Sequence, residues 1–156
     1  MNIFATSDCP VDCAKFLDDK RLRKMCLETA QMLCTAVNEH GGEAPYKSTH
    51  KNHPANVWTR TTRENYIWLL LHLIALGNEY YRRFGKVHKS VTLAPKLAEF
   101  RTLIPEGERT PFANCAANKD KNLCFKHIEN VYDAYKMYLY ARFYGDTITP
   151  VCTLGD

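Results

Sequence analysis

Apolar residues recur every three or four positions along most of the chain, which is the spacing of amphipathic helices. The breaks in this spacing fall at glycine and proline, the residues that most often end a helix. The pattern predicts helices over residues 10–17, 19–38, 54–58, 62–84, 90–101 and 123–144. A polar loop over 43–53 and a turn-rich stretch over 105–122 lie between them. No convincing pair of strands is present, so we predict an all-α fold without a β-sheet.

The helix over 62–84 is predicted to be the centre of the fold and its most buried element. It is apolar on most faces over 66–76, as expected for a helix surrounded by others. Thr61 and Glu64 have the spacing of a capping box at its start, and Gly85 follows its end. The chain has 156 residues, an ordinary length for one core. We therefore predict a single compact all-α domain, residues 1–156, around this long apolar helix.

Composition and charge narrow the class of protein. Hydrophobic residues make up 46% of the chain and charged residues 24%, which excludes a disordered or collagen-like chain. The net charge of +4 permits a nucleic-acid partner, and the aromatic content of 12% permits a stacking surface. The N-terminus lacks a secretory signal, and the longest apolar run is too short to span a membrane. The seven cysteines, an odd number, then predict a cytoplasmic protein with reduced thiols.

A polar stripe follows one face of the helix over 19–38 and consists of Lys20, Lys24, Glu28 and Gln31. These positions lie within about 80° of one another, and Lys24 and Glu28 are four residues apart, so that their side chains can meet. One interpretation is a solvated face with ordinary ion pairs. The other is an amine and a carboxylate at a groove, suited to chemistry at a sugar C1′. The carboxylate would stabilise an oxocarbenium-like centre, and a lysine would attack it to form a Schiff base.

A polar seam runs along the otherwise apolar helix over 62–84. Its members lie within about 60° of one line and are Asn65, Trp68, His72, Glu79 and Arg83. Polar groups on a buried face need hydrogen-bond partners. Either these side chains bond to the polar stripe and fix the two helices together, or they form the back wall of a polar pocket in which Trp68 stacks on a base.

The loop over 47–54 is basic and leads into a helix that starts at Pro54. Backbone N–H groups at a helix start, with His50, His53 and the nearby Arg60, suit a phosphate or sugar contact. The alternative is a surface loop with titrating histidines. Two histidines three residues apart, without a Cys-x-x-Cys motif, make a poor zinc set, so we predict no metal and no cofactor.

A second basic segment, 80–89, interleaves arginines and lysines with tyrosines. This combination suits phosphate contacts with base stacking, and it includes Arg83. Cations at the end of a helix are also favoured by the helix dipole, which is the simpler explanation.

Five segments of the chain, at 17–33, 49–54, 58–60, 64–69 and 110–113, resemble a family of small, mostly uncharacterised phage-encoded proteins. In the order of its helices, the chain also resembles the phage pyrimidine-dimer DNA glycosylases (endonuclease V). These are compact all-α enzymes with an early basic helix, an extended loop, a long apolar helix and an aromatic-rich tail.

The second resemblance implies lyase chemistry by the N-terminal α-amine, after removal of the initiator methionine, and by a glutamate on the early helix. Lys20 and Lys24 lie where that family has arginines, and Arg21 lies where it has the glutamate. Glu28, one turn onward, would have to supply the carboxylate. Asn2 is expected to block removal of the methionine.

The leading hypothesis is a phage-encoded protein that acts on DNA. It would be a base-excision DNA glycosylase, with or without AP-lyase activity, or a related base-processing enzyme. Glu28 would be the carboxylate, and Lys24, with Lys20 beside it, the amine or a phosphate clamp. Trp58 or Trp68 would line the pocket for an extruded base.

Two alternatives remain at this stage. One is a non-catalytic phage protein that binds nucleic acid or a host factor, and the other is an enzyme that acts on free nucleotides. A catalytic site requires convergence, so we ask whether Lys20, Lys24, Glu28, Asn65 and His72 meet in one open pocket.

Overall fold

A computed structural model describes residues 1–145 of the chain. The α-helices within this part are α1 (Pro10–Phe16), α2 (Asp19–Glu39), α3 (Pro54–Thr61), α4 (Arg63–Phe84), α5 (Ala94–Glu99) and α6 (Val131–Gly145). Turns of 3₁₀ helix at Lys89–Leu93 and Phe100–Leu103 flank α5. The all-α prediction is confirmed, and the predicted bounds of the first, second and fourth helices are close to those observed.

The long helices α2 and α4 share the centre of the fold. They pack against each other, α1 packs on α4, and α3 packs on both. Buried residues number 13 in α2 and 12 in α4. The prediction that the 62–84 helix is the most buried element therefore differs from the structure. Leu71 and Ile74 are 51% and 41% exposed and leave one edge of α4 open to solvent.

Side chains and backbone conformation define both ends of α4. The Thr62 hydroxyl accepts a hydrogen bond from the backbone N–H of Asn65 at 3.1 Å, which makes Thr62 the N-cap. Thr61, the predicted capping residue, is instead the last residue of α3 and donates to the carbonyl of Val57. The helix ends as predicted at Gly85, whose φ of 66° is a left-handed conformation that glycine adopts without strain.

The prediction differs most from the structure after residue 104. The last helix begins at Val131, not at 123, because the Asn130 side chain caps it by accepting from the N–H groups of Tyr132 and Asp133. The residues before it form a small antiparallel hairpin, β1 (Ala117–Asn118) with β2 (Leu123–Cys124). The prediction of no β-sheet is wrong in this detail.

None of the helices within residues 1–145 is both long enough and apolar enough to cross a membrane.

Candidate active site at the N-terminus

The N-terminal amine and a carboxylate of α2 form an ion pair at the protein surface. The Met1 nitrogen lies 3.3 Å from Glu28 Oε1, and Lys24 Nζ lies 3.9 Å from the other carboxylate oxygen. The Glu28 side chain is 14% exposed, whereas Lys24 is 69% exposed. Glu28 therefore contacts two amines, and the Met1 amine is the closer of them.

These groups line a cleft of about 250 Å³. Its walls come from the N-terminus, α2, the hairpin and α6, and include Met1, Asn2, Phe4, Lys20, Arg21, Lys24, Met25, Glu28, Ala117, Tyr138 and Arg142. Four of the lining side chains are cationic, whereas Glu28 is the one acidic side chain among them. A cleft with this excess of positive charge attracts an anionic ligand.

Contacts with the C-terminal part of the described chain hold the N-terminal segment in place. The Asn2 side-chain amide donates to the carbonyl of Cys115 at 3.1 Å, and its oxygen accepts from the Ile3 N–H at 2.9 Å. The Phe4 ring stacks on Tyr138, with ring centroids 5.9 Å apart. Phe4 has a φ of 56°, an unusual value for a residue with a side chain. These contacts hold the Met1 amine beside Glu28.

Helix α2 presents three of the four residues of the predicted stripe to this cleft, whereas Gln31 lines a different pocket. Lys20, Lys24 and Glu28 are spaced by four residues and all line it. Arg21 lines the cleft too, but its side chain is buried and bonds to Asp18 at 3.1 Å. Of the five residues that a catalytic site was expected to bring together, the structure places Lys20, Lys24 and Glu28 in this cleft, but not Asn65 and His72.

Two side chains of α3 hold the loop that precedes this helix. Asn56 donates through its side-chain amide to the carbonyl of His50 at 2.8 Å. The Arg60 guanidinium donates to the carbonyl of Lys51 at 2.6 Å. His50 has a φ of 48° and is exposed. Arg60 therefore shapes the loop, and His50 faces solvent.

His53 caps α3 and experiences the charges of the cleft. Its Nδ1 accepts from the backbone N–H of Ala55 at 3.1 Å, which leaves Nε2 as the donor of a neutral ring. Burial lowers the pKa of His53, the positive charge of the Met1 amine lowers it further, and Glu28 opposes both effects. The ring is therefore within electrostatic range of the amine and the carboxylate.

The tryptophans and Asn65 belong to a buried cluster away from the cleft. Trp58 donates to the carbonyl of Thr110, and Trp68 donates to that of Asp8. The Asn65 side-chain amide donates to the carbonyl of Trp58 and to the Thr110 hydroxyl, and its oxygen accepts from the Thr110 backbone N–H. The two indole rings meet edge to face, with centroids 6.2 Å apart. None of these three side chains lines the cleft.

His72 is also fully buried. Its Nδ1 lies 3.0 Å from the carbonyl oxygen of Pro10, and its ring stacks on Trp68 at 5.3 Å. Burial lowers the pKa of His72 to about 4, although the hydrogen bond to Pro10 opposes this effect. The ring is neutral at neutral pH and joins α4 to the start of α1.

Arg83 lies at the centre of a buried ionic network. It bonds to Asp19 at 3.1 Å and Glu79 at 2.8 Å, and it donates to the carbonyls of Leu17 and Lys15. Burial acts to raise the pKa of Glu79, but hydrogen bonds from the neighbouring arginines lower it overall. The members of the polar seam thus bond to residues 8–19, to one another, or to Trp58 and Thr110, so the interpretation that the seam bonds to the polar stripe is wrong.

Several residues of the cleft carry no signal in the sequence. Tyr138 and Arg142 lie on α6, far along the chain from α2, and no local pattern marks them. The amine of Met1 carries no side-chain signal, and only the resemblance to the glycosylases pointed to an N-terminal amine. Within the described part of the chain, no three His, Cys, Asp or Glu residues are grouped so that they could hold a metal ion.

Comparison with known protein families gives the class of the protein. The profile of the family described as pyrimidine dimer DNA glycosylase matches residues 1–93, more than half of the chain. No curated protein and no solved structure matches the chain. The matched part contains Met1, α2 and His53, but not α6. The chain therefore belongs to the pyrimidine dimer DNA glycosylase family, and its function is of the DNA glycosylase type with DNA as substrate.

Proposed function

We propose that the protein is a base-excision DNA glycosylase with AP-lyase activity, in which the Met1 amine is the nucleophile and Glu28 the catalytic carboxylate. The observation that supports this is the 3.3 Å contact between the Met1 nitrogen and Glu28 Oε1 in a cationic cleft. The family match adds that the same residues lie in the part of the chain common to these glycosylases. The substrate proposed from the family is a duplex that carries a pyrimidine dimer.

The chemistry follows from the two groups. The amine nitrogen forms a bond to C1′ as the bond from C1′ to the base breaks, and the base leaves with the electron pair. Loss of a proton and opening of the sugar ring give a Schiff base. The Glu28 carboxylate stabilises the positive charge that develops at the sugar during this step. The Schiff base makes the C2′ proton acidic. Loss of this proton and breakage of the bond from C3′ to the 3′ phosphate oxygen form a double bond between C2′ and C3′, and the phosphate leaves in this lyase step.

The Met1 α-amine is the better placed nucleophile of the two amines at Glu28, because its nitrogen lies 3.3 Å from the carboxylate. Lys24 Nζ is farther from the carboxylate, at 3.9 Å, and Lys24 is largely exposed. We assign Lys24 and Lys20 to phosphate contacts, with Lys24 as nucleophile the alternative to be tested.

The remaining predicted residues receive supporting roles in this proposal. His53 and His50 contact the sugar or a phosphate at the edge of the cleft, and Arg60 holds their loop. The buried side chains of the cluster and the network keep the elements in place: Asn65, Trp58, Trp68, His72 and Arg83. We further propose that residues 1–156 form one domain and that, if a phage encodes the chain, the protein acts in the cytoplasm of its host.

The experiment is an incubation with three radiolabelled duplexes that are identical except for one site: a cyclobutane pyrimidine dimer, an abasic site or undamaged thymines. We expect strand cleavage of the first two, and a covalent protein–DNA adduct when borohydride is present. In the dimer duplex, strand cleavage that is seen only after alkali treatment, without an adduct, would indicate a glycosylase that releases the base without forming the Schiff base. Binding of the dimer duplex without cleavage, even after alkali treatment, would favour a non-catalytic binding protein.

A further inference from the structure

Helix α6 lies outside the part of the chain that the family profile matches, yet it completes the cleft. Tyr138 and Arg142 are one turn apart on this helix, and both line the cleft with Lys24 and Glu28. The Arg142 guanidinium donates to the Tyr138 hydroxyl at 3.0 Å. The guanidinium carbon also lies 5.9 Å from the centre of the Tyr138 ring. Tyr138 therefore orients the arginine.

The same tyrosine also fixes the N-terminal segment. Its ring stacks on Phe4, three residues after Met1, and is 4% exposed. One buried side chain thus contacts both the segment that carries the amine and the arginine on the α6 wall. A ligand held by Arg142 is consequently held at a defined position relative to the amine.

The chemistry of a guanidinium favours one class of ligand in this cleft. Its planar fork of N–H groups matches the oxygens of a phosphate, to which it can donate two parallel hydrogen bonds. Glu28, the acid that lines the cleft, already contacts two amines. Lys20 and Lys24 add further positive charge on the α2 wall.

We propose that Arg142, oriented by Tyr138, binds a backbone phosphate of the DNA strand whose sugar reacts with the Met1 amine. This inference rests on the proposed function, because it takes DNA in the cleft as given. It assigns α6 a substrate-positioning role that the family match does not cover. Arg142 binds the strand, and Tyr138 fixes the position of Arg142 relative to the N-terminal segment.

The test measures binding of the full chain to a duplex with a reduced abasic site, which cannot form a Schiff base, across a series of salt concentrations. For Arg142→Gln we expect binding about tenfold weaker at low salt. Loss of one phosphate contact also makes the log–log salt slope shallower by about 0.9. Arg101→Gln removes the same charge from an exposed arginine that does not line the cleft, and we expect no change in affinity or slope.

Two further variants separate the effect of the orientation of Arg142 from the effect of its charge. Both are conservative substitutions, chosen so that the protein stays folded. Tyr138→Phe keeps the ring that stacks on Phe4 but removes the hydroxyl, so we expect a smaller loss of affinity than for Arg142→Gln. Arg142→Lys keeps the charge without the fork, so we expect the wild-type slope with weaker binding. A wild-type slope in a folded Arg142→Gln protein, or equal losses in Arg101→Gln, would overturn the inference. Cleavage by the wild-type protein is scored separately, and its absence would count against the proposed function.

Discussion

At the scale of single residues, the proposed chemistry depends on Glu28 and the two amines beside it. Lys24 has the helical spacing to Glu28 that sequence reasoning detects, but the structure places the Met1 nitrogen nearer to the carboxylate. The Met1 amine is part of the site because of the path that the chain takes before α1. Residue types alone do not reveal this path. The Asn2 and Phe4 contacts with residues after 114 define that path.

Glu28→Gln is expected to keep the fold and DNA binding while lowering turnover on the dimer duplex by about a hundredfold or more. The amide keeps the size of the side chain but cannot stabilise positive charge at the sugar. Single-turnover cleavage assays measure the effect. Glu39→Gln is the matched control, because Glu39 is an exposed residue of the same helix that pairs with Lys51. Wild-type turnover in Glu28→Gln would refute the catalytic assignment.

His72 is predicted to make stability fall as the pH falls. Its pKa is about 4 in the folded protein and 6.5 as the ordinary value, so below pH 6.5 the unfolded chain binds a proton that the folded chain excludes. Stability that is fully present above pH 6.5 is lost down to about pH 4, by roughly 3 kcal/mol. Urea unfolding of the wild type and His72→Gln at several pH values measures it. Parallel pH curves for the two proteins would contradict the prediction.

At the scale of elements, the hydrophobic pattern predicted most helices because each buries one face with the helical period. The ends were less predictable where neighbouring residues have equal capping ability, as Thr61 and Thr62 do. The stretch after 104 was the least predictable. Its hairpin and late helix start depend on asparagine turns and on contacts with the N-terminal segment, which no periodicity encodes.

The N-cap of α4 gives a matched pair of variants. Thr62→Ala is expected to lower the free energy of unfolding by about 1 kcal/mol, because the Asn65 N–H loses its acceptor. Thr61→Ala removes the hydroxyl of the preceding residue, which does not cap α4, so we expect a smaller loss of unfolding free energy. Thermal or urea denaturation of both variants measures the difference. A larger loss of stability for Thr61→Ala than for Thr62→Ala would contradict the assignment of the cap to Thr62.

The ionic network of Arg83 gives a second matched pair. Arg83→Met leaves buried carboxylates at Asp19 and Glu79, and we expect a loss of about 3 kcal/mol or more in unfolding free energy. Arg82 bonds to the same Glu79 but is 37% exposed, so Arg82→Met should cost about 1 kcal/mol or less. If Arg83→Met kept full stability and lost only DNA affinity, Arg83 would be a phosphate contact, as the sequence first suggested.

At the scale of the whole molecule, two parts of the chain build one cleft. The part that matches the family supplies the amine, the carboxylate and the lysines, and the part after residue 93 supplies the hairpin and α6. The sequence predicted the α2 contribution because four-residue spacing places side chains on one face. It could not predict the α6 wall or the buried positions of Asn65 and His72, since both depend on how distant segments pack.

Identifying the residue that forms the Schiff base tests most directly whether the Met1 amine is the nucleophile. The borohydride-reduced adduct with the abasic duplex is digested with nuclease and protease, and the modified peptide is sequenced by mass spectrometry. We expect the sugar remnant on the α-amine of Met1, with Lys24 unmodified. An adduct on Lys24 or any other lysine side chain would contradict it.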